Sequence, residues 1–147
     1  MRREEMLKKL ESLAQLDTDA VGVYSEALEH PVDDDVRGNF GMFLDDHMRH
    51  AERLTDIIEQ IGGVRPQLHI DLAGRMAEWM TALRSRRGTE GALHALETAE
   101  RYHVSRYREA SQWELEEHDV QLIINGFYED EQAHLAYVQE RLKAPVG

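Results

Sequence analysis

The sequence predicts an all-α fold, a bundle of four long helices with a long crossover between the second and third that carries an extra short helix. Three observations predict it. Apolar residues recur at three- and four-residue steps in four separate segments, which is the period of one helix face. The prolines Pro31, Pro66 and Pro145 all fall outside those segments, and proline breaks a helix by removing an N–H and clashing with the preceding turn. No run has the pattern of a strand.

The first helix is read from Met6, Leu10, Leu13, Leu16, Ala20, Tyr24, Ala27 and Leu28, and His30-Pro31 closes it. Asp33-Asp34-Asp35 then supplies an N-cap and first-turn negative charge. The second face runs through Val36, Phe40, Phe43, Leu44, His47, His50, Leu54, Ile57, Ile58 and Ile61, stopping at Gly62-Gly63, where glycine can take the left-handed cap conformation. A connection from Val64 to Gly88 follows, with a short amphipathic stretch from about Leu72 to Arg84 that places Met76, Trp79, Met80 and Leu83 on one side. Thr89 opens the third long helix, which runs to about Trp113 through Leu93, Leu96, Glu100, His103, Val104 and Tyr107. An acidic joint at Glu114 to His118 precedes the fourth, through Val120, Ile124, Phe127, Glu131, His134, Val138 and Leu142. Each long helix has about 25 residues and so spans roughly 37 Å. The short joints make neighbours antiparallel. The middle connection can travel the length of the bundle, so the second and third long helices run parallel.

The chain's 147 residues suit a single domain over 1–147, and they can bury a core without covalent staples. With no cysteine there is no disulfide framework, thiolate nucleophile or iron–sulfur site. Acidic residues number 29 against 17 basic, a formal charge of −12. That balance argues against a nucleic-acid partner, because phosphate recognition needs a basic stripe. No apolar run approaches the ~20 residues of a membrane span, and the opening Met1-Arg2-Arg3-Glu4-Glu5-Met6 is not a signal-peptide core. A soluble cytoplasmic protein is expected.

The informative residues are ionisable ones on otherwise apolar faces, since a buried charge needs a partner, a shifted pKa or a metal. Glu131 and His134 leave one face a turn apart, and His47 and His50 repeat that spacing. Asp17 lies seven residues before Tyr24, and Glu100 seven before Tyr107. Each half of the chain therefore offers one acid from its first helix and an i, i+3 pair from its second. Carboxylate and imidazole groups from four facing helices build a di-iron or di-manganese site in a bundle core, and such donors suit iron, manganese or zinc. A lone Glu-x-x-His is weak evidence: Glu114 to His118, Glu52, Glu59 and Glu140 read as solvated, and His30, His69 and His94 as cap or surface groups. Tyr24 and Tyr107 read as core residues whose hydroxyls suit hydrogen bonds to a ligand carboxylate. Trp79 and Trp113 read as packing. Asp46 would reach the site only if its helix turned, since adjacent helical residues point different ways.

At these residues the chain resembles the ferritin superfamily. The stretch from His47 to Ile58 is similar to the second-helix motif of bacterioferritins, normally Glu-x-x-His-Ala, and Asp130 to Leu142 to their fourth-helix motif. Asp17 to Tyr24 resembles the first-helix motif, and Glu100 with Tyr107 the third. Small bacterial rubrerythrin- and bacterioferritin-related proteins of uncharacterised function, associated with stress, share the Asp46-to-His50 signature and the short crossover helix. The resemblance implies Asp17, His47, His50, Glu100, Glu131 and His134 as metal ligands. Glu100 and Glu131 would bridge or chelate, His50 and His134 would be terminal, and His47 and Asp17 would complete the shell.

Three departures qualify it. His47 stands where ferroxidases place a bridging glutamate and Asp17 where they place a longer one, so a single ion, or one tight and one weak, stands beside the symmetric pair. The chain stops at Gly147 without a fifth helix, which speaks against a storage cage. Met48 falls where bacterioferritin places its haem-ligating methionine, and here core or dimer packing is the expectation. The lack of cysteine excludes a rubrerythrin-type electron relay. The expected protein is a homodimer binding iron, or else manganese or zinc, and oxidising Fe(II) with peroxide or oxygen in stress protection. Affinity is expected to fall below about pH 6, where histidine protonates. The alternative is an acidic, non-enzymatic stress or scaffold bundle with a vestigial site. Hemerythrin-like oxygen binding ranks last, needing more histidines at other spacings.

Overall fold

A computed structural model describes residues 1–144; Pro145, expected to mark an end, lies outside the described residues. Among the described residues five helices follow in order: α1 (Arg3–Glu29), α2 (Asp34–Gln60), α3 (Arg75–Ser85), α4 (Gly88–Ser111) and α5 (His118–Lys143). The long ones, α1, α2, α4 and α5, form the bundle, and α3 is the short helix of the crossover. Among the described residues there is no strand.

The caps follow the local chemistry. Asp33 accepts a hydrogen bond from the Val36 N–H at 2.9 Å, the expected N-cap of α2. Gly62 takes φ 93°, and the Gly63 N–H turns back to the Ile58 carbonyl at 2.8 Å, ending α2 as a left-handed residue allows. Some boundaries differ from the sequence reading. The crossover helix starts at Arg75, after an exposed Leu72 and a Gly74 at φ 58° that turns the chain into it. Thr89 does not cap α4, which starts at Gly88; its hydroxyl accepts the Asp33 N–H and ties the starts of α2 and α4 together. Helix α5 begins at His118, inside the segment read as a joint.

Hydrogen bonds between helices give their directions. Asp17 meets His47 and His50 of α2 and Tyr107 of α4, while Tyr24 further along α1 meets Glu100. Helix α1 is therefore antiparallel to α4. On the other side Asp130 meets His50 and His134 meets Asp46, so α5 is antiparallel to α2. Helices α2 and α4 are parallel, and the chain must return the length of the bundle between them. It does so along α1, where Gln15 donates to the His69 carbonyl and Asp19 accepts the Asp71 N–H.

The apolar core is in two parts. One, at the end where α2 and α4 begin, gathers Val23, Phe40, Leu93 and Leu96 with Met76, Trp79, Met80 and Leu83 from α3. The other, at the opposite end, gathers Leu10, Leu13, Leu54, Ile57 and Ile124. Between them lies a belt of buried polar side chains: Asp17, His47, His50, Glu100, His103, Glu131 and His134. The expected packing of Trp79 and Trp113 is seen: Trp79 is buried in the first part and Trp113 packs partly buried against the second. Met48 is 53% exposed, so it is not core.

Candidate metal centre

All six residues singled out in the sequence face this belt, and each is at most 1% exposed. Each comes from the middle of a long helix, where the apolar period carries a polar residue inward. Their donor atoms form two groups, Asp17, His47, His50 and Glu131, then His47, Glu100, Glu131 and His134, and within each all atoms lie within 4.8 Å of one another. Such a group can hold a metal ion through oxygen and nitrogen donors. Glu131 lies between the two. Its Oε1 is 3.3 Å from His47 Nδ1 and 3.5 Å from His50 Nδ1, while its Oε2 is 3.4 Å from His134 Nδ1.

The side chains supporting these donors repeat with the two halves of the chain. Tyr24 donates its hydroxyl proton to Glu100, and Tyr107 donates to Asp17, the bonds to carboxylates that the sequence suggested. The His50 Nε2–H donates to Asp130 at 2.8 Å, and the His134 Nε2–H donates to Asp46 at 2.8 Å. Phe127 stacks on His50 at 4.0 Å between centroids, and Phe43 on His134 at 4.2 Å. An aspartate on Nε2 and a phenyl face on the ring leave Nδ1 of both histidines aimed at the other donors, the arrangement by which an outer carboxylate sets tautomer and orientation.

Asp46 and Asp130 went unrecognised as site residues in the sequence. Asp46 does point away from its own helix's ligand face, yet it reaches His134 of the neighbouring helix without any turn of α2. The available signal was the aspartate preceding both i, i+3 pairs. His103 was visible one turn after Glu100 but was not ranked among the ligands. It is fully buried, with Nδ1 3.5 Å from Glu100 Oε1. The carboxylates and histidines read as surface groups are exposed or half-buried as expected. A solvent-open cleft of about 590 Å³ between α1, α3 and α4 lies outside the belt; Trp79 lines it and meets the His103 ring at 5.5 Å.

The electrostatics are those of buried acids and bases in contact. Burial alone would lower the His47 imidazole, but the Glu131 charge and hydrogen bonds to Asp17 and Glu100 outweigh it and raise it to about 9. Against the same burial, Asp130 and Asp17 raise His50 to about 11, and Asp46 and Glu100 raise His134 to about 12. Burial opposes ionisation of Asp17, yet hydrogen bonds from His47 and His50 bring it down to about 2. Glu100 is likewise held well below the ordinary carboxylate range, its burial outweighed by the imidazoles of His103, His134 and His47. Without a metal, His47, His50 and His134 are thus held protonated at neutral pH, and an ion bound there would have to displace their protons. This moves the pH dependence well above the value near 6 expected of an ordinary histidine.

A metal fits the belt on polar satisfaction as well as on donor type. Glu100 Oε2, both oxygens of Glu131, His134 Nδ1 and both ring nitrogens of His103 are buried without a hydrogen-bond partner. Buried polar atoms are rarely left so, and six of the nine such atoms among the described residues lie in this belt, where a cation could satisfy them.

Fold and belt together define an α-helical bundle with a buried cluster of carboxylate and imidazole donors. The chain belongs to the family described as a domain of unknown function, DUF2383, which matches residues 5–113. The match spans α1 to α4 and includes Asp17, His47, His50 and Glu100, while Glu131 and His134 lie beyond it. No curated protein and no solved structure shows measurable similarity to the chain.

Proposed function

We propose that this chain is a ferritin-like metalloprotein that binds iron in its polar belt and oxidises Fe(II) with peroxide or oxygen, in the manner of a stress-protective protein. The observation that carries this reading is the convergence of six buried donors from four helices, with orphaned oxygen and nitrogen atoms among them. Asp17, His50 and His47 would hold an ion on one side, Glu100 and His134 on the other, and Glu131 would reach both. Iron bound there supplies one-electron chemistry, Fe(II) giving up an electron to the oxidant. The residues around it do the rest. Asp46 and Asp130 hold the histidine rings, Tyr24 and Tyr107 hold the outer carboxylates, and the apolar clusters above and below keep bulk water out. The reading also takes the ion to be iron rather than manganese or zinc, and the protein to be a cytoplasmic homodimer, which sedimentation tests directly. No described helix is long and apolar enough to cross a membrane.

A second reading has its own support. Asp17 Oδ1 contacts His47 Nδ1 at 2.8 Å and His50 Nδ1 at 3.2 Å, so one side of the belt satisfies itself as an ion-paired network. On that reading the protein is a non-enzymatic acidic bundle with a vestigial site. Metal analysis of protein purified without chelator, followed by Fe(II) titration in air, separates the two. The metal reading expects bound metal and growth of a ferric absorption band; absence of both would leave the vestigial one.

A further inference from the structure

His47 belongs to both donor groups, and as a neutral imidazole it can serve only one of them. A carboxylate can bridge two ions with its two oxygens, and Glu131 is placed to do so. A neutral imidazole has one lone pair, with a proton on its other nitrogen. The closest contacts of His47 are through Nδ1, at 2.8 Å to Asp17 and 3.3 Å to Glu131, whereas Nε2 lies 3.4 Å from Glu100. Bound through Nδ1 on the Asp17 side, His47 turns an N–H toward Glu100 and gives the other ion nothing. That ion is left with Glu100, Glu131 and His134.

Most of the unpartnered atoms of the belt lie on this second side. Among them are all the polar side-chain atoms of Glu131 and of His103; Glu131 is in both donor groups, whereas His103 is in neither as the groups stand, and it is 0% exposed with no hydrogen-bond partner on either ring nitrogen. It leaves α4 on the same face as Glu100, one turn along, with Nδ1 3.5 Å from Glu100 Oε1 and its ring 5.2 Å from that of His47. Resting on the reading of the belt as a metal centre, we propose that His103 is the fourth protein ligand of the ion held by Glu100, Glu131 and His134. The two ions are then inequivalent. One is held by Asp17, His47, His50 and Glu131, and the other by Glu100, His103, Glu131 and His134.

The test is Co(II) titration of the metal-free chain, followed by equilibrium competition and by the ligand-field bands of bound Co(II). The expected wild-type result is two Co(II) per chain. In His103→Ala and His103→Gln, one Co(II) should bind within about twofold of wild type, and the other should weaken on the order of tenfold or more with a change in its bands. Unchanged affinities and bands in a folded variant would overturn the assignment and leave His103 as packing against Trp79. A wild type that binds one Co(II), with His103→Ala indistinguishable from it, would overturn the assignment while sparing the metal centre. A wild type that binds none would overturn the metal centre itself. If the variants fail to fold, ring-nitrogen NMR of the wild type with Zn(II) decides. A metal-bound shift at His103 supports the role, and an unmoved His103 resonance contradicts it.

Discussion

The histidines of the belt are set by what lies behind them. Asp130 and Asp46 accept hydrogen bonds from the Nε2–H of His50 and His134 at 2.8 Å, and that turns each Nδ1 inward. Asp130→Ala should therefore weaken metal binding by roughly 10- to 100-fold, with Asp46→Ala acting on the opposite ion. Calorimetric titration checks this, with Glu129→Ala at an exposed neighbouring position as the unaffected control. Tyr24→Phe removes the hydroxyl donor to a fully buried Glu100, and about 1–3 kcal/mol of metal-free stability should go with it in urea denaturation. The pH dependence has a definite sign. His47 rises from 6.5 to about 9 on folding, so the stability it contributes is full below pH 6.5 and is lost as pH climbs through about 9. Asp17 falls from 3.8 to about 2, so its contribution is full above 3.8 and lost as pH drops toward 2. The Tm of metal-free protein should decline between about pH 6.5 and about pH 9 while metal affinity rises over that interval. Melts and titrations in parallel buffers measure both.

At the scale of the helices, most of the architecture was legible in the sequence. A period of three to four residues marks a buried helix face wherever it persists, and Pro31, Pro66 and Gly62 mark where it cannot. The length from Val64 to Gly88 announced the crossover and hence the parallel pair α2 and α4. Boundaries were less legible, because polar helix formers such as Arg3, Glu4 and Glu5 extend α1 without adding to its apolar face. Within the site, the inward residues of each helix could be read and their partners across helices could not. Periodicity tells which way a side chain leaves its own helix, and Asp46 acts on His134, 88 positions away. Position alone likewise could not show that His103 is left without a partner. Trp79 is the largest apolar side chain that α3 inserts into the core, so Trp79→Ala should cost about 3–5 kcal/mol. Hydrogen exchange should show α3 loosening more than α1 or α2, since without Trp79 the short helix is anchored in the core only by Met76, Met80 and Leu83 and the crossover by a few surface bonds.

For the whole molecule, the division of the core explains why a chain of charge −12 tolerates a polar belt at its centre. Two apolar clusters supply the burial, and the four reciprocal hydrogen bonds from tyrosines and histidines link the halves across the middle. Most of the acidic excess lies on outer faces; the buried carboxylates are Asp17, Glu100 and Glu131. A ligand that binds only the folded state stabilises it by mass action, about 2.7 kcal/mol at a free concentration of 100 Kd, so metal should raise the Tm in proportion to its affinity. The most direct test of the central claim is anomalous diffraction from crystals grown with Fe(II) under nitrogen, collected at the iron edge. The expected map has peaks inside the belt, within bonding distance of His50 and Asp17 and of His134 and Glu100. A map without a peak there, with His47 and His50 both still bonded to Asp17, would contradict it.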